Sequence, residues 1–334
     1  MEARRWVLAR RPEGLPKDGD FRLEPMALPP LAPGEALIAV DYVSVDPGMR
    51  SRLSGDSYAA ALGLGETIES AGVGHVVESR CARLPEGATV MGGFGWTTHV
   101  ISDGRGVQAL DPAIFTGPIS PTASIGVLGI PGLTAYFGLT DLGRPKAGET
   151  LLVSSAAGPV GATAVQIGRK LGLTVIGIAG GAAKAAYVRE VLKADAAIDY
   201  RAEGDLAAAI RRAAPEGIDI YFDNVGGEQL DAAILNLRQG GRIVVSGQVS
   251  EYNAEAPRGI RWVTPFITRR LRMEGLVVYD YRKRFGEAQA AMAGWIGDGS
   301  LSYREDIVDG FERLPEAFAG LFRGENFGRR LVRT

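Results

Sequence analysis

The residues from Thr150 to Gly172, TLLVSSAAGPVGATAVQIGRKLG, constrain this chain more than any other stretch. Thr150 to Ser154 is a short, β-rich apolar run of the kind that forms a buried parallel strand. Ala156, Gly158 and Gly161 follow at the three spacings of a glycine turn, with Ala at the first position. Val160, Ala164, Ile167 and Leu171 then recur at helical spacing, and Gly172 stands where a helix stops. A second apolar strand, TVIGIAGG (174–181), completes a βαβ unit of about thirty residues. In such a unit a small residue makes the tight turn, Gly158 lets the backbone approach a pyrophosphate, and Gly161 lets helix and strand pack closely. The helix N-terminus offers N–H groups and partial positive charge to the phosphates. The stretch therefore predicts a dinucleotide-binding unit.

Its surroundings predict a second domain. A chain of 334 residues has room for two. Residues 1 to about 125 hold short β-like runs separated by Pro and Gly, among them GEALIAVDYVSV (34–45), GHVVES (74–79) and TVMGGFGWTTHVI (89–101). Trp6-Val7-Leu8 reads as a first strand. This pattern predicts a small, barrel-like all-β domain. After LGIPGLTAYFGL (128–139), strands AAIDY (196–200), IDIYFDNV (218–225), GRIVVSG (241–247) and EGLVVYD (274–280) alternate with helices GDLAAAIRRAA (204–214) and GEQLDAAILNL (227–237). That alternation means an α/β fold with a doubly wound parallel sheet. SYREDIV (302–308), an amphipathic helix near LPEAFAGLF (314–322) and GRRLVRT (328–334) return to mixed structure. The expected division is a first domain over 1–126, rejoined by 298–334, and a Rossmann domain over 127–297.

Several function classes are disfavoured. A net charge of −2 gives no long-range attraction to nucleic acid or an anionic membrane, and no apolar run has the length of a membrane span. The single cysteine, Cys81, excludes internal disulfides and cysteine-rich zinc sites, and a cytoplasmic location is the expectation. His75 and His99 lie in β-like runs without paired-ligand spacing, so no metal site is expected. No G-x-S-x-G nucleophile elbow occurs. Without a metal to polarise a carbonyl or alcohol oxygen, reduction of a polarised C=C bond is the more natural chemistry. The second strand of the βαβ unit ends in Ala179-Gly180-Gly181, without the acid that binds the adenosine 2′-hydroxyl of NAD. Lys184 follows one turn later, and Arg201 follows Tyr200 after the next strand. The sequence leans to NADPH, whose 2′-phosphate Lys184 neutralises.

These residues resemble a known group, the zinc-independent medium-chain dehydrogenase/reductases of the leukotriene 12-hydroxydehydrogenase/prostaglandin reductase branch. Alkenal double-bond reductases and curcumin-reductase-like proteins belong to the same branch. The resemblance runs in order through VDPGMRSRL (45–53), LGIPGLTAYFGL (128–139), the glycine turn, IDIYFDNVGG (218–227), SGQVSEYN (246–253) and GENFGRRLV (324–332). It implies a GroES-like β-barrel catalytic domain beside the Rossmann domain, a homodimer, and NADPH-dependent hydride transfer to the β-carbon of an α,β-unsaturated ketone or aldehyde. By the same resemblance Ala157, Gly158, Val160 and Gly161 face the pyrophosphate, and Gly180, Lys184 and Tyr200 surround the adenosine ribose and its phosphate. Asn224, Ser246, Tyr252, Leu276, Val277, Val278 and Asn326 line the nicotinamide half. Tyr252 and Tyr58 stand near the substrate carbonyl, with Tyr252 as the candidate donor to the enolate. Two positions depart from the family pattern. Gly48 replaces a frequent tyrosine and removes an aromatic wall, and Ser246 replaces a frequent cysteine. A prostaglandin or leukotriene substrate therefore does not follow. An NADPH quinone oxidoreductase and a non-catalytic NADPH-binding protein are the alternative readings.

Overall fold

The computed structural model describes residues 3–55, 60–256 and 258–334. They form two compact units. One comprises Met1–Ile125, Glu305–Asn326 and Arg330–Thr334; the other comprises Gly126–Arg304 and Phe327–Arg329.

In the first unit β1 (Ala3–Leu8) and β2 (Phe21–Met26) form an antiparallel pair. After them come β3 (Ala36–Ser44), the short helix α1 (Met49–Ser54), β4 (Gly72–Ser79), β5 (Thr89–Gly92), β6 (His99–Ser102) and β7 (Val107–Ala109). β3 is the hub of an antiparallel sheet, pairing with both β4 and β6. Its side chains alternate as a two-residue period demands, with Ala36, Ile38 and Val40 buried and Leu37, Ala39 and Asp41 half-buried. The run 89–101, which reads as one strand in the sequence, is broken into β5 and β6. Gly95 breaks it: at φ +71 it packs so closely that a Cβ there would lie 2.8 Å from the Ile68 carbonyl oxygen.

The second unit begins with α2 (Ile130–Phe137), which continues into a π-helical turn, Gly138–Gly143. Then β8 (Thr150–Val153), α3 (Pro159–Lys170), β9 (Thr174–Ala179), α4 (Ala182–Glu190), β10 (Ala196–Asp199), α5 (Leu206–Ala213), β11 (Ile218–Asp223), α6 (Gly227–Asn236), β12 (Leu237–Val245), α7 (Thr264–Thr268), β13 (Arg272–Gly275) and α8 (Phe285–Gly297) follow. Local chemistry sets the helix ends. Pro159 opens α3, where its missing N–H costs nothing, and Gly172 at φ +77 follows its end. Asp205 caps α5 by accepting the Ala208 amide at 3.0 Å. The strands pair in parallel in the order β10-β9-β8-β11-β12-β13, a doubly wound sheet. One strand differs from its reading in the sequence. EGLVVYD (274–280) is strand only to Gly275, because β12 offers partners Arg242 to Val245 and then ends. Val278–Arg284 coils into a 3₁₀ helix instead.

Asp298–Arg304 stay with the second unit, where the Gln166 side chain donates to the Ser302 carbonyl at 2.8 Å and accepts its amide at 2.8 Å. Beyond them β14 (Glu305–Asp309), α9 (Leu314–Phe322) and β15 (Arg329–Arg333) return to the antiparallel sheet, β15 pairing with β3. Phe318 of α9 packs edge-on against Phe21, Trp96 and Phe322, with ring centroids 6.2, 6.0 and 5.3 Å away. Phe318 and Trp96 are fully buried. Phe318→Ala is expected to lower the stability of this unit by about 3–5 kcal/mol. Denaturant unfolding followed by tryptophan fluorescence and circular dichroism measures it, and a loss under about 1 kcal/mol would contradict the packing described.

Candidate cofactor and active site

The order of the parallel sheet reverses between β8 and β11, and open α/β sheets bind ligands at the carboxyl ends of the strands flanking such a point. The segments singled out in the sequence each follow one strand of this sheet at its carboxyl end. Ala157 and Gly158 follow β8, Gly180 follows β9, Tyr200 follows β10, Asn224 follows β11, Ser246 follows β12 and Leu276 follows β13.

The turn after β8 shows what its small residues do. A Cβ at Gly161 would lie 2.2 Å from the Ser155 carbonyl oxygen and 2.8 Å from the Ala156 Cα, so helix and turn meet backbone to backbone. A Cβ at Gly158 would meet only Ser155, at 3.0 and 3.2 Å. Internal packing therefore demands glycine at 161 far more than at 158, where a Cβ would press only on the neighbouring Ser155. Gly158 is the N-cap of α3 and the first turn carries no acid, leaving the amides of a helix N-terminus for an anion. Val160 packs partly against the core beneath. From the tail, the Gly328 amide donates to the Ala157 carbonyl at 3.1 Å, and Phe327 meets Tyr187 edge-on at 4.8 Å. Asn326 immediately precedes this contact and belongs to the first unit.

The end of β11 carries a buried polar network. The Asp223 carboxylate is fully buried, and its Oδ1 accepts the Tyr221 hydroxyl at 2.9 Å and the amides of Val225 at 3.0 Å and Gly226 at 2.9 Å. The Ser154 hydroxyl lies 3.3 Å from the same oxygen and accepts the Asn224 amide at 2.8 Å. The Asn224 side chain donates to the Ser154 carbonyl at 2.8 Å and accepts the Ser246 hydroxyl at 2.6 Å. Asn224 is thus held from β8 and β12 at once. Asp223 Oδ2 is buried without a hydrogen-bond partner among the described residues. Burial raises the Asp223 pKa above the ordinary value of 3.8, against the pull of the donors on Oδ1. Burial, then the Asp223 charge, pushes Tyr221 well above its ordinary 10.0.

The remaining candidates are placed as follows. The Tyr252 oxygen accepts the Gln248 amide at 3.3 Å, which folds the loop from Ser246 onto itself. Leu276 turns its side chain onto the second unit's interior, where a Cβ at Gly138 would lie 3.0 Å from Leu276 Cδ2 and 2.8 Å from Phe222. Val277 is exposed and Val278 buried. Lys184 sits half-buried in the first turn of α4, and Tyr200 is 39% exposed. Tyr58 lies outside the described residues. Among the described residues no group of three or more His, Cys, Asp and Glu side chains is placed to hold a metal. His75 and His99 flank Ala39 from β4 and β6, and burial, with His75 nearby, pushes His99 below its ordinary 6.5. The sequence reading assigned no role to Ser154, Tyr221, Asp223 or Asp199. The signal for the first and third was the same: a polar residue closing an otherwise apolar buried strand.

This is the architecture of a two-unit dinucleotide-dependent oxidoreductase. Residues 4–110 match the N-terminal domain of oxidoreductase and residues 159–294 match the zinc-binding dehydrogenase family. The chain is 42% identical to the NADPH-dependent curcumin reductase of Escherichia coli, covering 99% of this chain and 96% of that protein. It is 39% identical to prostaglandin reductase 1 of Rattus norvegicus over the full length of both. The crystal structure of CurA from Vibrio vulnificus in complex with NADPH superposes with a TM-score of 0.92 at 40% identity, covering 99% of each chain. The chain belongs to the zinc-independent medium-chain dehydrogenase/reductases, in the branch of the curcumin, alkenal and prostaglandin reductases.

The buried Asp223 carboxyl generates a pH dependence. Because its folded pKa is raised, its favourable contribution is complete below 3.8 and is lost as pH rises through the folded value. Wild-type stability measured against Asp223→Asn is expected to fall with rising pH above 3.8 and then level off. Chemical denaturation of both proteins from about pH 3 to about pH 8 measures this; a difference that is flat, or that grows with pH, would contradict the assignment.

Proposed function

We propose that the protein is an NADPH-dependent ene-reductase that saturates the C=C bond of an α,β-unsaturated ketone or aldehyde. The observation that carries this is the arrangement at the carboxyl ends of the sheet. An acid-free β9 end with Lys184 in the following helical turn stands on one side of the reversal point, and the Ser154–Asn224–Ser246 network spans that point. The residues fit the cofactor. Gly158 is the glycine N-cap of α3, whose first turn carries no acid, and β9 closes without an acid of its own. When bound, NADPH supplies a hydride.

The chain's own residues then have separate tasks. Ala157, Gly158, Val160 and Gly161 hold the pyrophosphate, and Gly180, Lys184 and Tyr200 hold the adenosine ribose and its phosphate. Asn224, Ser246 and the Leu276–Val278 segment orient the nicotinamide half, with Asn326 supplied by the tail. Negative charge collects on the substrate oxygen as the β-carbon is reduced, and the Tyr252 hydroxyl donates to that oxygen. Tyr58 is the second candidate near it. Water supplies the α-carbon proton. We assign the substrate role to the GroES-like unit and the cofactor role to the Rossmann unit, and a cytoplasmic location agrees with a single, buried cysteine.

NADPH oxidation with an enone, an alkenal, a quinone and a saturated aldehyde tests the reading. Turnover of the first two, surviving exhaustive chelation, is expected; turnover of the quinone alone, or of none, would overturn it. Tyr252→Phe is expected to lower kcat with enones about tenfold or more while leaving NADPH affinity nearly unchanged, below the ~100-fold or larger loss seen for a sole oxyanion donor. Unaltered hydride transfer in this variant would leave Tyr252 a mere wall of the site.

We also propose a homodimer formed through β13. That strand ends the sheet, and Trp262, Val263, Ile267, Val277 and Tyr279 are exposed in the segments around it. An open strand edge beside apolar side chains suits a second copy of the chain. Light scattering of wild type and Ile267→Asp is expected to give a dimer and a weakened dimer. A monomeric wild type would contradict this.

A further inference from the structure

Tyr252 lies on a loop that is tied to the rest of the second unit on both sides. The upstream tie is the turn after β11. The Ser246 and Gly247 amides donate to the Asp223 carbonyl at 2.8 and 3.2 Å, and the Ser250 amide donates to the Val225 carbonyl at 3.1 Å. The downstream tie is made by side chains of α6. Asp231 Oδ1 accepts the Arg261 amide at 3.1 Å, and Oδ2 stands 3.8 Å from the guanidinium groups of both Arg258 and Arg261. Glu228, one turn earlier on the same face of α6, meets Arg258 at 3.0 Å. Between the two ties Glu251, the residue before Tyr252, accepts the Arg258 amide on Oε2 at 2.9 Å. The loop therefore closes on itself beside Tyr252 and is held from α6.

This clasp is a poor stabilising device. Asp231 is only 7% exposed, and its Oδ2 and the Nε of Arg258 are buried without a hydrogen-bond partner among the described residues. At 3.8 Å the two side chains attract each other, but the separation is too long for a hydrogen bond. Burying such a pair costs desolvation that its attraction offsets only with good geometry, and apolar replacements are often as stable. Glu228 is largely exposed, so its contact with Arg258 adds little. What the arrangement secures is register. An amide and two cations, all from residues 258–261, converge on one carboxylate of α6. Close packing fixes the other side, where a Cβ at Gly227 would lie 2.8 Å from the Ser250 hydroxyl and 2.9 Å from Glu251 Oε1. The chain around Tyr252 is thereby fixed to α6 at two places, one turn apart.

We propose that Asp231 is a positioning residue for the Tyr252 hydroxyl, acting through Arg258, Arg261 and the loop they belong to. The inference rests on the reading that Tyr252 donates to the substrate oxygen. A donor lowers the barrier only when it is already aimed at the oxygen on which charge collects, so freedom in its loop subtracts directly from its effect. Asp231 itself touches neither substrate nor cofactor in this assignment. Its effect falls on the reducing step and not on the binding of NADPH.

A double-mutant cycle on the full chain tests this, with hydride transfer followed in single turnovers of an enone and NADPH affinity followed by fluorescence. Asp231→Ala is expected to slow hydride transfer by about threefold to about tenfold and to change NADPH affinity by less than about twofold. Asp231→Asn, which keeps an oxygen for the Arg261 amide, is expected to recover part of the rate, and Arg258→Met to lose a similar part. In a Tyr252→Phe background Asp231→Ala is expected to change the rate by less than about twofold, because the hydroxyl it positions is gone. NADPH binding reports that each variant is folded, and if Asp231→Ala does not fold, Arg258→Met carries the cycle. Losses that multiply in the double variant, or unchanged rates in Asp231→Ala and Arg258→Met, would overturn this inference alone. Unaltered hydride transfer in Tyr252→Phe would overturn both the inference and the reading of Tyr252 it rests on.

Discussion

A single buried carboxylate organises the functional end of the Rossmann unit. Asp223 takes a tyrosine hydroxyl, two amides of the following turn and a serine hydroxyl on one oxygen, with no exposure to solvent. Leaving a charged group in such a place is costly, and its raised pKa registers that cost. What the arrangement secures is position. The turn after β11 adopts one shape, Ser154 is aimed at Asn224, and Asn224 is held between strands β8 and β12. The point where the sheet order reverses therefore presents a fixed amide rather than a mobile one, which is what orienting a flat ring requires.

The end of β10 uses the same device in a more open form. Asp199 also gathers amides from two turns on one oxygen, although it is only half-buried. In both places an acid at the end of a strand gathers turn amides on one oxygen. Close backbone packing does the rest. Gly161 lets α3 rest on Ser155, and Gly177 inside β9 does the same for α4, where a Cβ would lie 2.5 Å from Val188.

Much of this was legible in the sequence because it rests on local rules. The strand, turn and helix of 150–172, the helix α5 within 204–214 and the span of α9 follow from periodicity and glycine. What escaped depended on partners distant in the chain. EGLVVYD has the composition of a strand throughout, but β12 runs out of partners at Val245. The break between β5 and β6 depends on Ile68, far upstream of Gly95. At the site, the residues flanking the glycine turn announced themselves by spacing. Ser154 and Asp223 did not, since their roles exist only once β8 and β11 lie side by side.

The central claim is that this framework directs a hydride to carbon rather than to a carbonyl. Reduction of an enone with NADPH deuterated at the transferring position, followed by NMR of the product, tests it directly. The account predicts deuterium on the β-carbon of a saturated ketone. Deuterium on a carbinol carbon, with the C=C bond intact, would contradict it.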